Sequence, residues 1–316
     1  MIQTEALVIF LVIVCALLAL DLGVFNKKEH IISTKEALVT TCFWVFIALC
    51  FNVLIYFAYK YQWFGLTPAS TPRTTAVEFF TGYIIELSLS FDNVFVIAML
   101  FSYFNIPQQY QHRVLFWGIL GAIVFRGIMI VIGAALVQKF DWIMYVFGAL
   151  LIFSALKMIF GKNEEFDADK NKIVQALRKL YPISNNFDGS KFFTFVNGQR
   201  ALTPMMVALV IIEATDVLFA IDSIPAIFVV TRDPFIVITS NIFAILGLRS
   251  MYFVLVSMIN KFHYLQKSLI VLLFFIGIKM LLSHVVHIPI YLSLLIILLI
   301  LLGGVLLSVL KGTNEK

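Results

Sequence analysis

Charge is scarce in this chain, since 13% of its 316 residues are Asp, Glu, Lys or Arg, whereas 61% are hydrophobic. Soluble domains carry roughly 25% charged residues, so this composition excludes a soluble globular protein. It predicts a polytopic membrane protein whose surroundings are the lipid bilayer. We expect no nucleic-acid partner, and we interpret the formal net charge of +5 as a signal of membrane topology.

Cysteine is scarce as well, because the chain has only Cys15, Cys42 and Cys50, all within its first two apolar stretches. They form no CxxC pair and no disulfide framework, so we expect them to pack as small hydrophobic side chains. The chain also lacks the GxGD and HExxH motifs of intramembrane proteases. We therefore expect neither an enzyme nor a resident cofactor.

Long apolar runs fill the rest of the chain, and turn residues such as Ile106-Pro107 and Asp233-Pro234 separate them. A run of about 20 apolar residues is long enough for a helix to cross a bilayer. We predict one all-α membrane domain over residues 1–316 with nine transmembrane helices. Their predicted ranges are 6–25, 37–59, 77–104, 114–136, 141–160, 203–230, 235–260, 267–283 and 288–310.

The distribution of Lys and Arg predicts how these helices are oriented. Fifteen of them lie in the odd-numbered loops and the C-terminal tail, against four in the N-terminal segment and the even-numbered loops. The positive-inside rule then places the N-terminus outside and the C-terminus in the cytoplasm. The long polar stretch 161–202 becomes a cytoplasmic loop, in which Ile173, Ala176, Leu177 and Leu180 recur at the spacing of a short surface helix.

Two three-helix segments, 77–160 and 203–283, resemble each other. Polar positions align in the same order in both: Glu86 with Asp216, Asp92-Asn93 with Asp222-Ser223, Arg126 with Arg249, and Lys157 with Lys279. Because each segment has an odd number of helices, the second enters the membrane from the opposite side. The sequence thus predicts an inverted repeat, which in transporters places the substrate site near the midplane between the halves.

Five acidic residues lie deep within the third and sixth predicted helices: Glu86, Asp92, Glu213, Asp216 and Asp222. A carboxylate at that depth costs at least ~2.5–3.5 kcal/mol unless it is protonated, paired or bound to a cation. These five acids therefore predict a cation site. On a regular helix, residues six apart point about 120° apart and lie about 9 Å apart along the axis. We therefore predict unwinding near 89–93 and near 220–223, where Pro225 removes a helical hydrogen bond.

The available donors indicate which ion is bound. Carboxylate, amide, hydroxyl and carbonyl oxygens suit Mg²⁺, Ca²⁺ or Mn²⁺, and the two acidic helices contain no Cys or His. Arg126 and Arg249 are the expected counter-ions, although either could equally be a static clamp between helices. Lys157 and Lys279 are nearer the helix ends and are expected to extend toward the interface. Protons would compete with the metal for the same carboxylate oxygens. We therefore expect the protein to exchange cations for protons, that is, to act as a cation/proton antiporter.

The segments 82–93, 121–126, 216–225, 233–235 and 240–249 resemble the TerC family of integral membrane proteins, historically named for tellurium resistance. The resemblance extends over essentially the whole chain. It implies a nine-helix fold related to the lysine-exporter-like superfamily, and a Mn²⁺ exporter, which we expect as a multi-pass protein of the inner (plasma) membrane. The residues it implies for the metal path are Glu86, Asp92, Asn93, Glu213, Asp216, Asp222 and Ser223.

A different class of function stays open at this point. The chain could be a non-transporting, metal- or pH-responsive membrane subunit of a tellurium or metal stress-response complex, with residues 161–200 as its docking surface. The sequence leaves open the oligomeric state, the coupling ion, the choice among Mn²⁺, Ca²⁺ and Mg²⁺, and the roles of Asn241, His284 and His287.

Overall fold

The computed structural model describes residues 4–20, 32–69, 71–140, 142–160, 171–196, 198–258, 263–282, 285–286 and 288–311. These residues form ten α-helices and one β-hairpin. The helices are α1 Thr4–Leu20, α2 Thr34–Lys60, α3 Pro72–Tyr103, α4 Gln108–Lys139, α5 Ile143–Phe160, α6 Lys172–Leu180, α7 Pro204–Phe228, α8 Pro234–Met258, α9 His263–Leu281 and α10 Ile290–Lys311. The hairpin pairs β1 Phe193–Val196 with β2 Gln199–Leu202.

Seven of the described helices are long and apolar enough to cross a bilayer, namely α2, α3, α4, α5, α7, α8 and α10. The described part of α1 is a shorter apolar helix. Each of the nine predicted ranges overlaps one described helix, although residues 21–25, 141, 259–260 and 283 of those ranges lie outside the described residues. The chain is therefore a helical membrane protein that crosses the bilayer several times.

The helices begin where short polar side chains can bond to backbone groups that lack a helical partner. The hydroxyl of Thr71 accepts a hydrogen bond from the Thr74 amide at 3.1 Å, and Pro72 follows in the first turn of α3. At the start of α7, Thr203 caps the helix in the same way and Pro204 follows. Proline fits a first turn because its missing N–H would have no acceptor there.

The core is organised around α8, whose membrane-length segment is wholly buried. It packs against α2, α3 and α4, while α4 also packs along α7 and α5 along α9. Rings from α1, α2 and α3 pack against Phe243 of α8, and the centroid of Phe51 on α2 lies 4.6 Å from that of Phe243. A helix buried on all sides needs internal partners for its polar groups, and α8 buries five polar or charged side chains, namely Thr239, Ser240, Asn241, Arg249 and Ser250.

Two glycines bring α5 and α9 close together. A Cβ atom added to Gly148 would lie 3.1 Å from the Gly277 carbonyl oxygen, and one added to Gly277 would lie 3.1 Å from the Gly148 oxygen. Small residues at such crossings let helix backbones approach in lipid, where packing replaces the hydrophobic effect as the force between helices. This contact fixes α5 beside the cavity described below.

The polar stretch contains more structure than the sequence predicted. The expected short helix is present as α6, with Val174 buried and Leu180 72% exposed. The hairpin was not predicted, although Asn197-Gly198 between two apolar runs is a strong signal for one, and Gly198 has the positive φ of 78° that such turns require. Residues 161–170 of the stretch lie outside the described residues.

The predicted unwinding is wrong. Both α3 and α7 are helical through 89–93 and 220–223. Ser88 donates to the Ile84 carbonyl at 2.6 Å, so its hydroxyl bonds to the intact helix instead of replacing lost backbone bonds. Pro225 leaves the Ile221 carbonyl without its helical donor, but α7 continues through Pro225 to Phe228, so the loss of this one bond does not unwind the helix.

Candidate cation site

Arg126 on α4 lies at the centre of the polar interior and is 1% exposed. Its Nη1 forms an ion pair with Glu86 Oε1 on α3. On the other side, Nη2 donates to Asp216 Oδ1 at 2.7 Å and Nε donates to Asp216 Oδ2 at 3.0 Å. Nη1 also lies 3.4 Å from Ser223 Oγ and from Asn241 Oδ1. One guanidinium therefore joins α3, α4, α7 and α8.

Further polar side chains complete this cluster. Asn93 Nδ2 donates to Asp216 Oδ1 at 3.0 Å, and Ser90 Oγ donates to Glu86 Oε1 at 3.3 Å. Two buried oxygens, Glu86 Oε2 and Asn93 Oδ1, have no hydrogen-bond partner among the described residues. Burying polar oxygens without a partner is costly. These two oxygens can therefore accept a further hydrogen bond or bind a cation.

A cavity of about 640 Å³ lies beside the cluster, between α3, α4, α5 and α7. Its polar and charged lining consists of Glu86, Asp92, Asn93, Arg126, Ser154, Lys157, Thr215, Asp222 and Ser223. A water molecule takes up about 30 Å³ of liquid, so this space could hold on the order of twenty. It is therefore large enough for a divalent ion that keeps part of its hydration shell.

Asp92 and Asp222 face this cavity from the two acidic helices. Asp222 Oδ1 accepts a hydrogen bond from Ser154 Oγ on α5 at 2.7 Å. No described side chain is hydrogen-bonded to Asp92, which is partly buried. Both carboxylates thus keep oxygens that can bind a cation entering the cavity.

The five acids that the sequence singled out occupy three environments. Glu86 and Asp216 contact Arg126, while Asp92 and Asp222 face the cavity. Glu213 lies against α4, where a Cβ on Gly121 would overlap its carboxylate, and it is not part of the cavity lining. In the described part of the chain, no three His, Cys, Asp or Glu side chains lie close enough together to hold one metal ion.

The second predicted counter-ion has different surroundings from the first. Arg249 on α8 is 4% exposed and lines a separate space of about 30 Å³ together with Asn93 and Asp216. Arg249 is not part of the lining of the 640 Å³ cavity. The two repeat-aligned arginines are not equivalent, since the contacts with Glu86 and Asp216 described above are made by Arg126.

Sequence reasoning missed several polar residues around the site. Ser154 was not predicted, and Lys157, which was expected to extend toward the interface, lines the cavity beside it. The alignment of Lys157 with Lys279 between the two repeated segments was a usable signal. The role of Asn241 was left open, and it accepts from Arg126. His284 and His287 lie outside the described residues.

A second cavity, of about 830 Å³, lies near the loop between α7 and α8 and was also not anticipated. Glu78, Asp233 and Lys279 are on its wall. Thr231 Oγ1 donates to Glu78 Oε2 at 2.8 Å, and the Tyr59 hydroxyl donates to Asp233. These acids are thus held by neighbouring hydroxyl groups.

Comparisons with known proteins identify relatives of similar length. The chain is 46% identical over 305 residues to the uncharacterized membrane protein STKORF319 of Myxococcus xanthus, covering 96% of this chain and 92% of the relative. It is 46% identical over 286 residues to the Escherichia coli K12 protein named "Putative membrane-bound redox modulator Alx", covering 90% and 88%. An uncharacterized membrane protein of Rickettsia bellii is 41% identical over 304 residues, covering 96% and 97%.

No solved structure matches the chain. The integral membrane protein TerC family matches residues 71–316, a range that includes both acidic helices, Arg126 and the cavity between them. The resemblance noted in the sequence is thereby confirmed, and the chain belongs to the TerC family of integral membrane proteins.

Proposed function

We propose that this protein transports divalent metal cations, and that it exports Mn²⁺ across the inner (plasma) membrane. The observation that carries the proposal is the 640 Å³ cavity, which Asp92 on α3 and Asp222 on α7 both line. Carboxylates inside a membrane domain are costly unless a cation or proton compensates them. A cavity beside such groups that is large enough for a hydrated ion is what a cation path requires.

The balance of charge around the cavity favours a divalent ion. The carboxylates of Glu86, Asp92, Asp216 and Asp222 face the cations of Arg126 and Lys157, which leaves two negative charges. One divalent cation neutralises that remainder. Oxygen donors from carboxylates, Asn93 and Ser223 suit Mn²⁺, Mg²⁺ and Ca²⁺, and the export direction and the preference for Mn²⁺ are drawn from the family resemblance.

The packing of the helices supports an inverted repeat of α3–α5 and α7–α9 within a nine-span topology. A twofold axis between the two segments would relate α3 to α7, α4 to α8 and α5 to α9. It would convert the contact between α3 and α8 into the contact between α4 and α7, and it would leave the contact between α5 and α9 unchanged. All three contacts are present. We propose that the N-terminus is outside and the C-terminus cytoplasmic. Rocking of one repeat against the other would then expose the cavity to each side in turn.

We further propose that metal export is coupled to proton entry. The carboxylate oxygens of Asp92 and Asp222 that would bind the metal can bind protons instead. A proton bound on one side and exchanged for metal on the other gives antiport. No catalytic reaction is part of this proposal.

Purified protein in proteoliposomes tests the function directly. We expect Mn²⁺ uptake, followed with an entrapped Mn²⁺-quenched dye, to fall to background in Asp222→Asn. Asp188→Asn is the matched control, because Asp188 is exposed and pairs with Lys191 outside the membrane helices. Absence of uptake by the wild type, or full uptake by Asp222→Asn, contradicts the proposal.

Coupling is tested with pH gradients across the same vesicles. An interior more acidic than the bath should accelerate Mn²⁺ uptake, because protons leave as the metal enters, and the opposite gradient should slow it. Flux that ignores the sign of the gradient rules out proton coupling. Parallel runs with Ca²⁺ and Mg²⁺, together with cellular metal content with and without the protein, determine the preferred ion.

A second candidate function is a non-transporting subunit that docks partners in a stress-response complex. The exposed apolar side chains of the polar segment favour it, since Phe195 is 76% exposed and Leu180 72% exposed. The name of the Escherichia coli relative, a membrane-bound redox modulator, describes a role that need not involve transport. Mn²⁺ flux by the purified protein alone would separate the two candidates.

A further inference from the structure

Lys157 lies where a mobile positive charge can reach the carboxylate of Asp222. Ser154 and Lys157 are three residues apart on α5 and so lie on the same face of that helix. The hydroxyl of Ser154 is 2.7 Å from Asp222 Oδ1, and both α5 side chains line the 640 Å³ cavity. Lys157 is an exposed side chain, so its ammonium is not fixed by packing.

The lysine that the sequence repeat aligns with Lys157 has a different environment. Lys279 on α9 donates to Ser293 Oγ on α10 at 2.7 Å and lines the 830 Å³ cavity instead. It is therefore engaged away from Asp92 and Asp222. This difference makes Lys279 a matched control for a role specific to Lys157.

We propose that Lys157 is a tethered competitor of the metal ion: its ammonium pairs with Asp222 while the cavity holds no metal, and the metal displaces it. The proposal rests on the transport function proposed above and assigns a further residue to it. An ammonium on a flexible four-carbon stem is a point charge with three donors. It can approach the carboxylate and withdraw within the cavity without any movement of α5.

The consequence is that the site binds metal weakly enough to release it. With Lys157 in place the carboxylates keep two uncompensated negative charges, and without it they keep three. A more negative cavity binds a divalent cation more tightly. A transport site must bind the ion strongly enough to take it up and weakly enough to release it. By weakening metal binding, Lys157 favours release of the ion.

Mn²⁺ flux in proteoliposomes and Mn²⁺ binding to the purified full-length protein together test this role. We expect Lys157→Met to lower both the Mn²⁺ dissociation constant and the KM for transport about tenfold, as removal of a nearby like charge does. The maximal rate should fall, because release becomes slow. Lys157→Arg, which keeps the charge, should stay close to the wild type, and so should Lys279→Met.

A purely structural role for Lys157 predicts a different pattern. Loss of structure would weaken Mn²⁺ binding or leave KM unchanged while lowering the rate, and either result overturns the proposal. If Lys157→Met is not recovered as a monodisperse protein, Lys157→Gln provides the same comparison. A wild type without Mn²⁺ flux overturns the transport function itself, whereas a transporting wild type with an unchanged Lys157→Met overturns only the role of this lysine.

Discussion

The two acid pairs contributed by α3 and α7 have opposite surroundings. Glu86 and Asp216 are buried and share Arg126, whereas Asp92 and Asp222 face the cavity without an arginine contact. All four are carboxylates in the same two helices, and the members of each helix are six residues apart. The comparison shows that position around the helix decides whether an acid holds helices together or is available to an exchangeable cation.

The largest expected effect comes from breaking the buried pair. Arg126→Met leaves Glu86 and Asp216 without their counter-ion, and losing one partner of a buried ion pair costs about 3–5 kcal/mol. We expect little monodisperse protein after detergent extraction and a large drop in thermal unfolding temperature. Arg200→Met is the control, because the Arg200 guanidinium stacks on the Phe193 ring of the hairpin, outside the membrane helices. Normal yield and stability of Arg126→Met would show that the cluster does not hold the helices together.

Neutralising Glu86 and Asp92 in turn compares an acid bound to Arg126 with an acid that faces the cavity, both on α3. Glu86→Gln weakens a charge-assisted hydrogen bond to Arg126 and should cost about 1.5–3 kcal/mol of stability. Asp92→Asn breaks no hydrogen bond or ion pair with a described side chain and should change stability by less than about 0.5 kcal/mol, while Mn²⁺ flux is lost. Thermal unfolding and flux on the same preparations decide this. Equal destabilisation by both variants would remove the distinction between the pairs.

The role of Glu213, which lies in a third environment, can be tested by a substitution on α4, the helix that faces it. Gly121→Ala places a methyl group against the Glu213 carboxylate, and overpacking of this kind costs about 1–3 kcal/mol. We expect lower thermal stability with unchanged Mn²⁺ affinity. Gly127→Ala is the matched control on α4, since a Cβ there meets nothing within 4 Å. A changed Mn²⁺ affinity in Gly121→Ala would instead place Glu213 on the metal path.

The smallest expected effect concerns the hydrogen bond that orients Asp222. Ser154→Ala removes the donor 2.7 Å from its Oδ1, and one hydrogen bond contributes about 0.5–1.5 kcal/mol. The KM for Mn²⁺ should change about threefold to tenfold, and stability should fall by no more than about 0.5–1.5 kcal/mol. Ser184→Ala in the polar segment provides a comparison far from the cavity. A Ser154→Ala transporter identical to the wild type would mean that Asp222 does not need this bond.

The helix positions and the identity of the polar interior could be predicted from the sequence. Apolar runs ended by Pro107, Pro234 and neighbouring turn residues locate the helices, and acids within such runs are conspicuous because they are costly there. The helical angle between Glu86 and Asp92 also indicated that they could not serve one small ion from a regular helix. The structure keeps the helices regular and gives the two acids different partners.

Tertiary contacts account for what sequence could not supply. Nothing in the order of residues distinguishes Arg126 from Arg249, yet only the placement of α4 between α3 and α7 lets one guanidinium contact both Glu86 and Asp216. The same holds for Ser154, whose significance depends on the close approach of α5 to α7. Unwinding was predicted because Pro225 and the serines were considered without knowing where α7 ends or what Ser88 bonds to.

The guanidinium of Arg126 also limits how the molecule can change shape. From α4 it donates to acceptors on α3, α7 and α8, so it links these helices at a single buried point. A tilt of these helices about Arg126 preserves those bonds, and it moves the helix ends through larger arcs than their middles. In the proposed transport cycle, such a tilt would open the cavity to the two faces of the membrane in turn while the residues around Arg126 stay in place.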